Sequence, residues 1–183
     1  MSLAFMRAVI AGDEAAATRE LGADVSDAMS DDLRDFAKRR SAQMEADPDV
    51  LQWLARAMVL TDQDGRRHAI GTIGFHGPPD DQGRVEVGYR IEPAYRRQGY
   101  TRESVQAMFD WAFHEHGIRR FVASVLPTNQ ASLALIRGFG FAQVGEQMDE
   151  VDGLEYVFEA PWPPTRPQMA RVDDDGRPAA PGT

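Results

Sequence analysis

Residues 84 to 103 read RVEVGYRIEPAYRRQGYTRE. Val85, Val87, Tyr89 and Ile91 fall on one side at period two, alternating with Glu86, Gly88 and Arg90, which is the pattern of a half-buried strand. Pro93 stops the ladder, because proline has no N–H to give. A short basic turn follows, Arg96-Arg97-Gln98-Gly99. Helical spacing then starts near Thr101, with Val105, Met108, Phe109 and Ala112 as an apolar stripe. A strand, a basic glycine-containing turn and a helix start together point free backbone N–H groups and a positive dipole end at one spot. An anion binds there readily, and two arginines favour a phosphate.

A second segment lies downstream. Asn129-Gln130-Ala131-Ser132 opens a short helix, and Arg137-Gly138-Phe139-Gly140-Phe141 closes it. The two segments, in this order and joined by a predicted helix and strand, resemble the GNAT superfamily of acyl-CoA-dependent N-acyltransferases, and within it the ribosomal-protein N-terminal acetyltransferases. The resemblance covers roughly residues 55 to 160. The family's phosphate loop reads Arg/Gln-x-x-Gly-x-Gly/Ala, and here Thr101 stands in place of the final small residue. Thr is bulkier and β-branched, which sets the helix start slightly further from the phosphates.

The resemblance implies a mixed α/β fold: a mostly antiparallel sheet with one splayed parallel strand pair, flanked by helices. It implies acetyl-CoA as cosubstrate, with the diphosphate on Arg96, Arg97, Gln98, Gly99, Tyr100 and Thr101 and with Arg102 as an outer contributor. Pantetheine would pair with the backbone of Tyr89, Arg90 and Ile91, with an N–H near Ile91 facing the thioester oxygen. Asn129 is a helix N-cap, a pantetheine contact, or both. Glu86 is the candidate general base, and it would need a pKa raised by burial; its other reading is an ordinary strand glutamate. Many relatives protonate the departing thiolate with a tyrosine on the second-segment helix, but this chain has Leu135-Ile136-Arg137 there. Ser132 is the candidate in its place, and its rival role is capping the first helical turn.

The whole chain sets bounds. Its 183 residues suit one domain, expected over residues 1–160, followed by a Pro-rich tail, 161–183, read as disordered. No apolar run approaches the ~18 residues of a membrane span, and no cleavable leader is legible, so a cytoplasmic location away from membranes is the expectation. With no cysteine, neither a disulfide nor a thiolate nucleophile is available. A net charge of −9 argues against broad nucleic-acid binding and is compatible with a cationic amine. A homodimer is compatible with the chain.

Along the chain, residues 3–10 read as a first strand. Asp13 caps a helix to Leu21, Asp31 or Asp32 caps a second to about Glu45, and Asp47-Pro48 ends it. A strand after Trp53, a turn at Asp62-Gln63-Asp64-Gly65 and a strand from His68 to His76 lead into the quoted stretch. Gly117 stops its helix, Arg119 to Leu126 forms a short strand parallel to it, and a hairpin across Asp152-Gly153 ends the domain. The amine acceptor would bind among the first two helices, their loop and this hairpin.

Other chemistries fit less well. His114 and His116 diverge on a helix and have no carboxylate cluster beside them, so no metal is expected. No serine sits in a nucleophile elbow, and the glycines form no dinucleotide fingerprint. The expected function is acetyl transfer from acetyl-CoA to a primary amine of a small molecule or a protein N-terminus, without a covalent enzyme intermediate. The alternative is a non-catalytic acyl-CoA-binding module on the same fold, and a generic nucleotide-binding domain is third.

Overall fold

The computed structural model describes residues 1–149 and 153–164. Its elements are helices α1 (Leu3–Ala11), α2 (Glu14–Leu21) and α3 (Asp27–Ala46), then strands β1 (Arg56–Thr61), β2 (Arg67–Phe75) and β3 (Arg84–Ile91). They continue with α4 (Tyr100–His116), β4 (Arg120–Val125), α5 (Gln130–Arg137), β5 (Ala142–Asp149) and β6 (Gly153–Pro161). One six-stranded sheet runs in the order β1-β2-β3-β4-β6-β5. Every neighbouring pair is antiparallel except β3–β4, which is parallel.

Most boundaries fall where the residues put them, and two do not. Residues 3–10 are a helix, not a strand. Ser2 caps it by accepting from the Phe5 N–H, and Phe5, Met6, Ala8 and Val9 are buried along one side at helical spacing. The alternation that would mark a strand is missing there. The cap expected at Asp31 or Asp32 lies five or six residues earlier, at Ser26, which accepts from the Met29 N–H and starts the helix at Asp27. The acid of the first turn is Asp27, next to the cap, and Asp31 and Asp32 lie one turn further in.

Two cores flank the sheet. α1, α2 and α3 pack Phe5, Met6, Val9, Leu33 and Met44 against Leu54 and Ala69. α4 and α5 pack Val105, Phe109 and Ile136 against Ile73, Val85 and Phe121. β2 is buried along nearly its whole length. Its neighbour chain comes close enough that a Cβ on Gly74 would lie 2.6 Å from Ala55 Cα, so the crossing needs a residue without a side chain. The centre of the larger core is Phe109, whose ring lies 4.1 Å from Phe121 and 5.2 Å from Trp162 between centroids.

Trp162 lies past Ala160 but is buried, and its indole N–H donates to Asp110 Oδ1 at 2.9 Å. The last residues that the structure describes thus return to α4. The disorder read for the tail and the turn read at Asp152 fall largely on residues 150–152 and 165–183, outside the described residues. Among the described residues no helix is long and apolar enough to cross a membrane.

Phe109→Ala removes a fully buried ring from this aromatic cluster. It is expected to cost about 3–5 kcal/mol of unfolding free energy by chemical denaturation. A loss under about 1 kcal/mol would mean that the cluster does not hold the α4 layer to the sheet.

Candidate active site

β3 pairs with β4 at its start and with β2 over the rest, and the two sets of bonds meet at Glu86. With β4 it pairs only from Arg84 to Glu86, opposite Arg120 to Val122. With β2 it stays paired up to Ile91, and β4 stays paired with β6 up to Val125. Each strand keeps its antiparallel partner, so the parallel pair opens after three rungs. Glu159 of β6 holds the closed end, reaching Arg120 at 2.5 Å and Arg84 at 3.6 Å, while Asp80 lies 2.8 Å from Arg84 and supplies the second negative charge.

The backbone direction along the open end follows from two hydrogen bonds. Glu86 O accepts from the His76 N–H and the Glu92 N–H donates to Ile70 O, so even-numbered residues face β2. Successive residues of a strand alternate. The N–H and C=O groups of Val87, Tyr89 and Ile91 therefore face the gap that β4 leaves. Arg90, expected to share this role, directs its backbone toward β2, where it lies opposite Thr72. Its side chain reaches α3, donating to Asp32 O at 3.2 Å.

The gap leads to the start of α4. α1, α2, α3 and α5 each have a side chain capping the N-terminus, from Ser2, Asp13, Ser26 and Asn129. α4 has none: its N-cap is Gly99, in the left-handed region at φ 90°. Arg97 is also left-handed at φ 62°, an uncommon conformation for a residue with a side chain. Alternating handedness over Arg97-Gln98-Gly99 curls successive N–H groups toward one point, a concavity suited to an anion. Nothing lies within 4 Å of where a Gly99 Cβ would stand, so the space in front of the loop is open.

The side chains around the loop divide. Arg96 Nε lies 3.4 Å from Ile91 O, and Gln98 Nε2 donates to Ala94 O at 3.1 Å, so both brace the turn. Arg97 is exposed and has no hydrogen-bond or ion-pair partner among the described residues. Tyr100 and Thr101 are half-buried in the first helical turn. Arg102 lies over the Phe139 ring at 4.7 Å, with Nη2 3.4 Å from Gly138 O, which ties α4 to the end of α5. The loop thus presents backbone donors and one free guanidinium, a set that suits a diphosphate.

Glu86 sits on the opposite side of β3 from the large core. Its Oε2 lies 3.6 Å from His76 Nδ1, with the two side chains 29% and 53% exposed, so the pair is half in solvent. Gly88 makes room for the imidazole: a Cβ there would lie 2.7 Å from His76 Nε2. Burial pushes the Glu86 carboxyl up, but His76 and the hydroxyl and backbone of Ser124 pull it further down, and it ends below the ordinary carboxylate value. The raised pKa expected of a carboxylate base is therefore not what this environment produces.

His76 also lines a cleft of about 980 Å³ between α3 and the sheet, together with Phe36, Arg40, Tyr89 and Asp149. Arg40 closes one edge by donating to His76 O at 3.0 Å. Of the segments expected to form an acceptor pocket, α3 and the hairpin residue Asp149 contribute to this cleft, while α2 does not. His76 and Ser124 went unnoticed as site residues in the sequence. Counting the β2–β3 hairpin outward from its loop sets Gly74 opposite Gly88 and hence His76 opposite Glu86, a signal that was present.

Ser132 and Asn129 lie at the start of α5. Asn129 Oδ1 accepts from the Ser132 N–H at 3.1 Å, so Asn129 is the cap and Ser132 is not. The Ser132 hydroxyl neighbours the buried Tyr89 hydroxyl.

Known proteins match this architecture. The family model for an acetyltransferase (GNAT) domain matches residues 5–142. An uncharacterized N-acetyltransferase from Bacillus subtilis, YoaA, is 35% identical over 79 residues, 43% of this chain and 45% of that protein. The chain thus spans about half the length of the curated relatives it matches. The crystal structure of a ribosomal-protein-S5-alanine acetyltransferase from Vibrio fischeri has the same fold, with a TM-score of 0.53 at 18% identity over 94% of this chain and 92% of that one. A chimera of the Vibrio cholerae spermidine N-acetyltransferase SpeG and hSSAT gives 0.56 at 14% identity over 88% and 92%. A family match over three-quarters of the sequence, on a sheet with the parallel pair open beside an uncapped helix start, establishes that this chain belongs to the GNAT acetyltransferase family.

Proposed function

We propose that this protein is an acetyl-CoA-dependent N-acetyltransferase that passes the acetyl group directly to a primary amine of a small molecule or a protein N-terminus. The observation that carries the reading is the alignment of two backbone surfaces: the edge of β3 past its last rung with β4, on which Arg96 takes up Ile91 O, and the uncapped start of α4. An extended amide-bearing chain ending in a diphosphate complements both at once. Acetyl-CoA supplies the activated acetyl group.

Within this reading the residues divide the work. The N–H groups of Gly99, Tyr100, Thr101 and Arg102 hold the diphosphate, and Arg97 adds charge. Gln98 and Arg96 brace the loop, and Arg102 anchors it to α5. The backbone of Tyr89 and Ile91 holds pantetheine, while Arg90 fastens the other edge of β3 to α3. The N–H of Ile91 polarises the thioester oxygen. Asn129 sets the first turn of α5 and so the position of Ser132.

The amine enters from the cleft that His76 lines. A carboxylate with a depressed pKa is a weak base, because proton transfer to it has little driving force. Glu86 therefore acts as a fixed negative charge that orients the imidazole and attracts the ammonium, and His76 accepts the proton, directly or through water. The S5-alanine and spermidine acetyltransferases of this fold take acceptors of different size, and the cleft has both acidic and basic walls, from Asp32 and Asp35 to Arg39 and Arg90.

Gly99→Asp is expected to weaken acetyl-CoA binding by at least ~10-fold in calorimetry, because it sets a carboxylate against the diphosphate. Gly99→Asn, which tolerates a left-handed backbone and carries no charge, is expected to lose much less. Equal affinity for the wild type and Gly99→Asp would remove the loop from the binding site.

Glu86→Gln is expected to lower kcat by ~10- to 100-fold at unchanged acetyl-CoA affinity. The sign of the pH effect follows from the depressed carboxyl: Glu86 is charged across the neutral range and loses that charge only below the ordinary value of about 4.3. Ionisation of the carboxyl itself should therefore leave the ratio of wild-type to variant kcat unchanged between about pH 6 and pH 8 and narrow it only in acid. His76→Gln should cost as much, and the double variant little more than either single. Wild-type turnover in Glu86→Gln would exclude the carboxylate from the reaction.

A further inference from the structure

α5 carries no tyrosine where many relatives place their thiolate-protonating group, but a phenol reaches the neighbourhood from another element. Tyr89 lies on β3 three residues past Glu86, the last rung shared with β4. Its side chain is on the same side of the strand as Val85 and Val87, partly buried against the α4–α5 core. Its hydroxyl is fully buried and makes no hydrogen bond among the described residues. An unpaired buried hydroxyl is destabilising, so its retention calls for a partner that is present when the site works. Ser132, on α5, acts on the Tyr89 phenol against the upward push of burial, although no hydrogen bond joins the two hydroxyls. Two hydroxyls from β3 and α5 thus converge where β4 has left the sheet, beside the β3 backbone groups that face the gap.

We propose that the Tyr89 hydroxyl, with Ser132 beside it, is the proton donor to the sulfur that departs during acetyl transfer. The assignment rests on the transferase reading above. As the nitrogen–carbon bond forms and the carbon–sulfur bond breaks, the electron pair of the broken bond goes to sulfur. Tyr89 gives its proton to that sulfur, the product leaves as a free thiol, and the phenolate is reprotonated from solvent through the Ser132 hydroxyl. The proton released by the amine leaves separately, on the His76 side of the strand, so donor and acceptor sites are divided by β3 itself. Burial holds the phenol above its ordinary value, with Ser132 pulling it back in part, so the donor keeps its proton through the neutral range. A thiolate forming in the same dry gap is itself made more basic by desolvation, which brings the two groups closer in proton affinity.

Tyr89→Phe removes one oxygen and keeps the ring. With folding verified by a Tm no lower than that of the wild type, it is expected to lower kcat by ~10²-fold while acetyl-CoA affinity holds. The second readout needs no turnover: the ionisation of coenzyme A thiol bound to the protein, followed by the ultraviolet absorbance of the thiolate. A donor aimed at sulfur favours the thiolate, so in Tyr89→Phe the bound thiol should ionise about one pH unit higher than in the wild type. Ser132→Ala should lose less kcat and shift the ionisation by less. If the wild type binds acetyl-CoA and releases thiol with an amine while Tyr89→Phe matches it in rate and thiol ionisation, Tyr89 is not the donor and the transferase reading stands. A slower Tyr89→Phe with an unshifted thiol makes the hydroxyl structural and likewise overturns the assignment. A wild type that neither binds acetyl-CoA nor releases thiol with any amine overturns both.

Discussion

The conflict between the two hydrogen-bonding allegiances of β3 and β4 organises this protein. β3 is held from Val87 to Ile91 by β2, and β4 along its length by β6, but β3 and β4 share only three rungs with one another. A parallel pair costs backbone hydrogen bonds wherever it opens, and those groups must find other partners. The sheet tolerates the opening because Glu159 clamps Arg84 and Arg120 at the closed end and because α4 and α5 cover the gap from one side. An open strand edge inside a packed domain is a docking surface for another extended chain.

The same divergence sorts the polar chemistry. Side chains on one side of β3 look toward α4 and α5, where Tyr89 and Ser132 meet. Those on the other look toward α3 and the cleft, where Glu86 meets His76. Glu86 is held from both neighbours, by His76 on the β2 side and by Ser124 on β4. Ser124 in turn accepts from Gln147 at 3.1 Å, and Gln147 donates to Glu155 at 3.0 Å, so a polar chain crosses the sheet toward β5. Such a chain fixes the carboxylate in its charged form, which suits orientation and charge better than it suits proton capture.

The order of elements was legible because it rests on local signals. Asp13 before an apolar stripe, Asp47-Pro48, the Asp62–Gly65 turn and Gly117 each act within a few residues, and each marks an end where it falls. The first helix was misread because Phe5, Met6 and Val9 are equally good strand residues and Ser2 is a weak mark so near the chain start. The loop Arg96 to Thr101 was legible as an anion site because strand end, glycine and helix start are adjacent in sequence. That only one arginine of the loop stays free of bracing contacts was not, since the targets of the others, Ile91 O and Gly138 O, are set by packing.

Sequence alone determined the strand–turn–helix unit and its backbone donors, because periodicity, proline and glycine act through the chain's own covalent geometry. Tertiary structure alone decided that β4 parts from β3 after Glu86, that His76 lies against that carboxylate, and that a phenol on β3 faces a serine on α5. Those relations depend on register and on which partner each strand keeps, and such choices are made between segments distant in the chain, where burial and hydrogen-bond satisfaction are shared by the whole sheet.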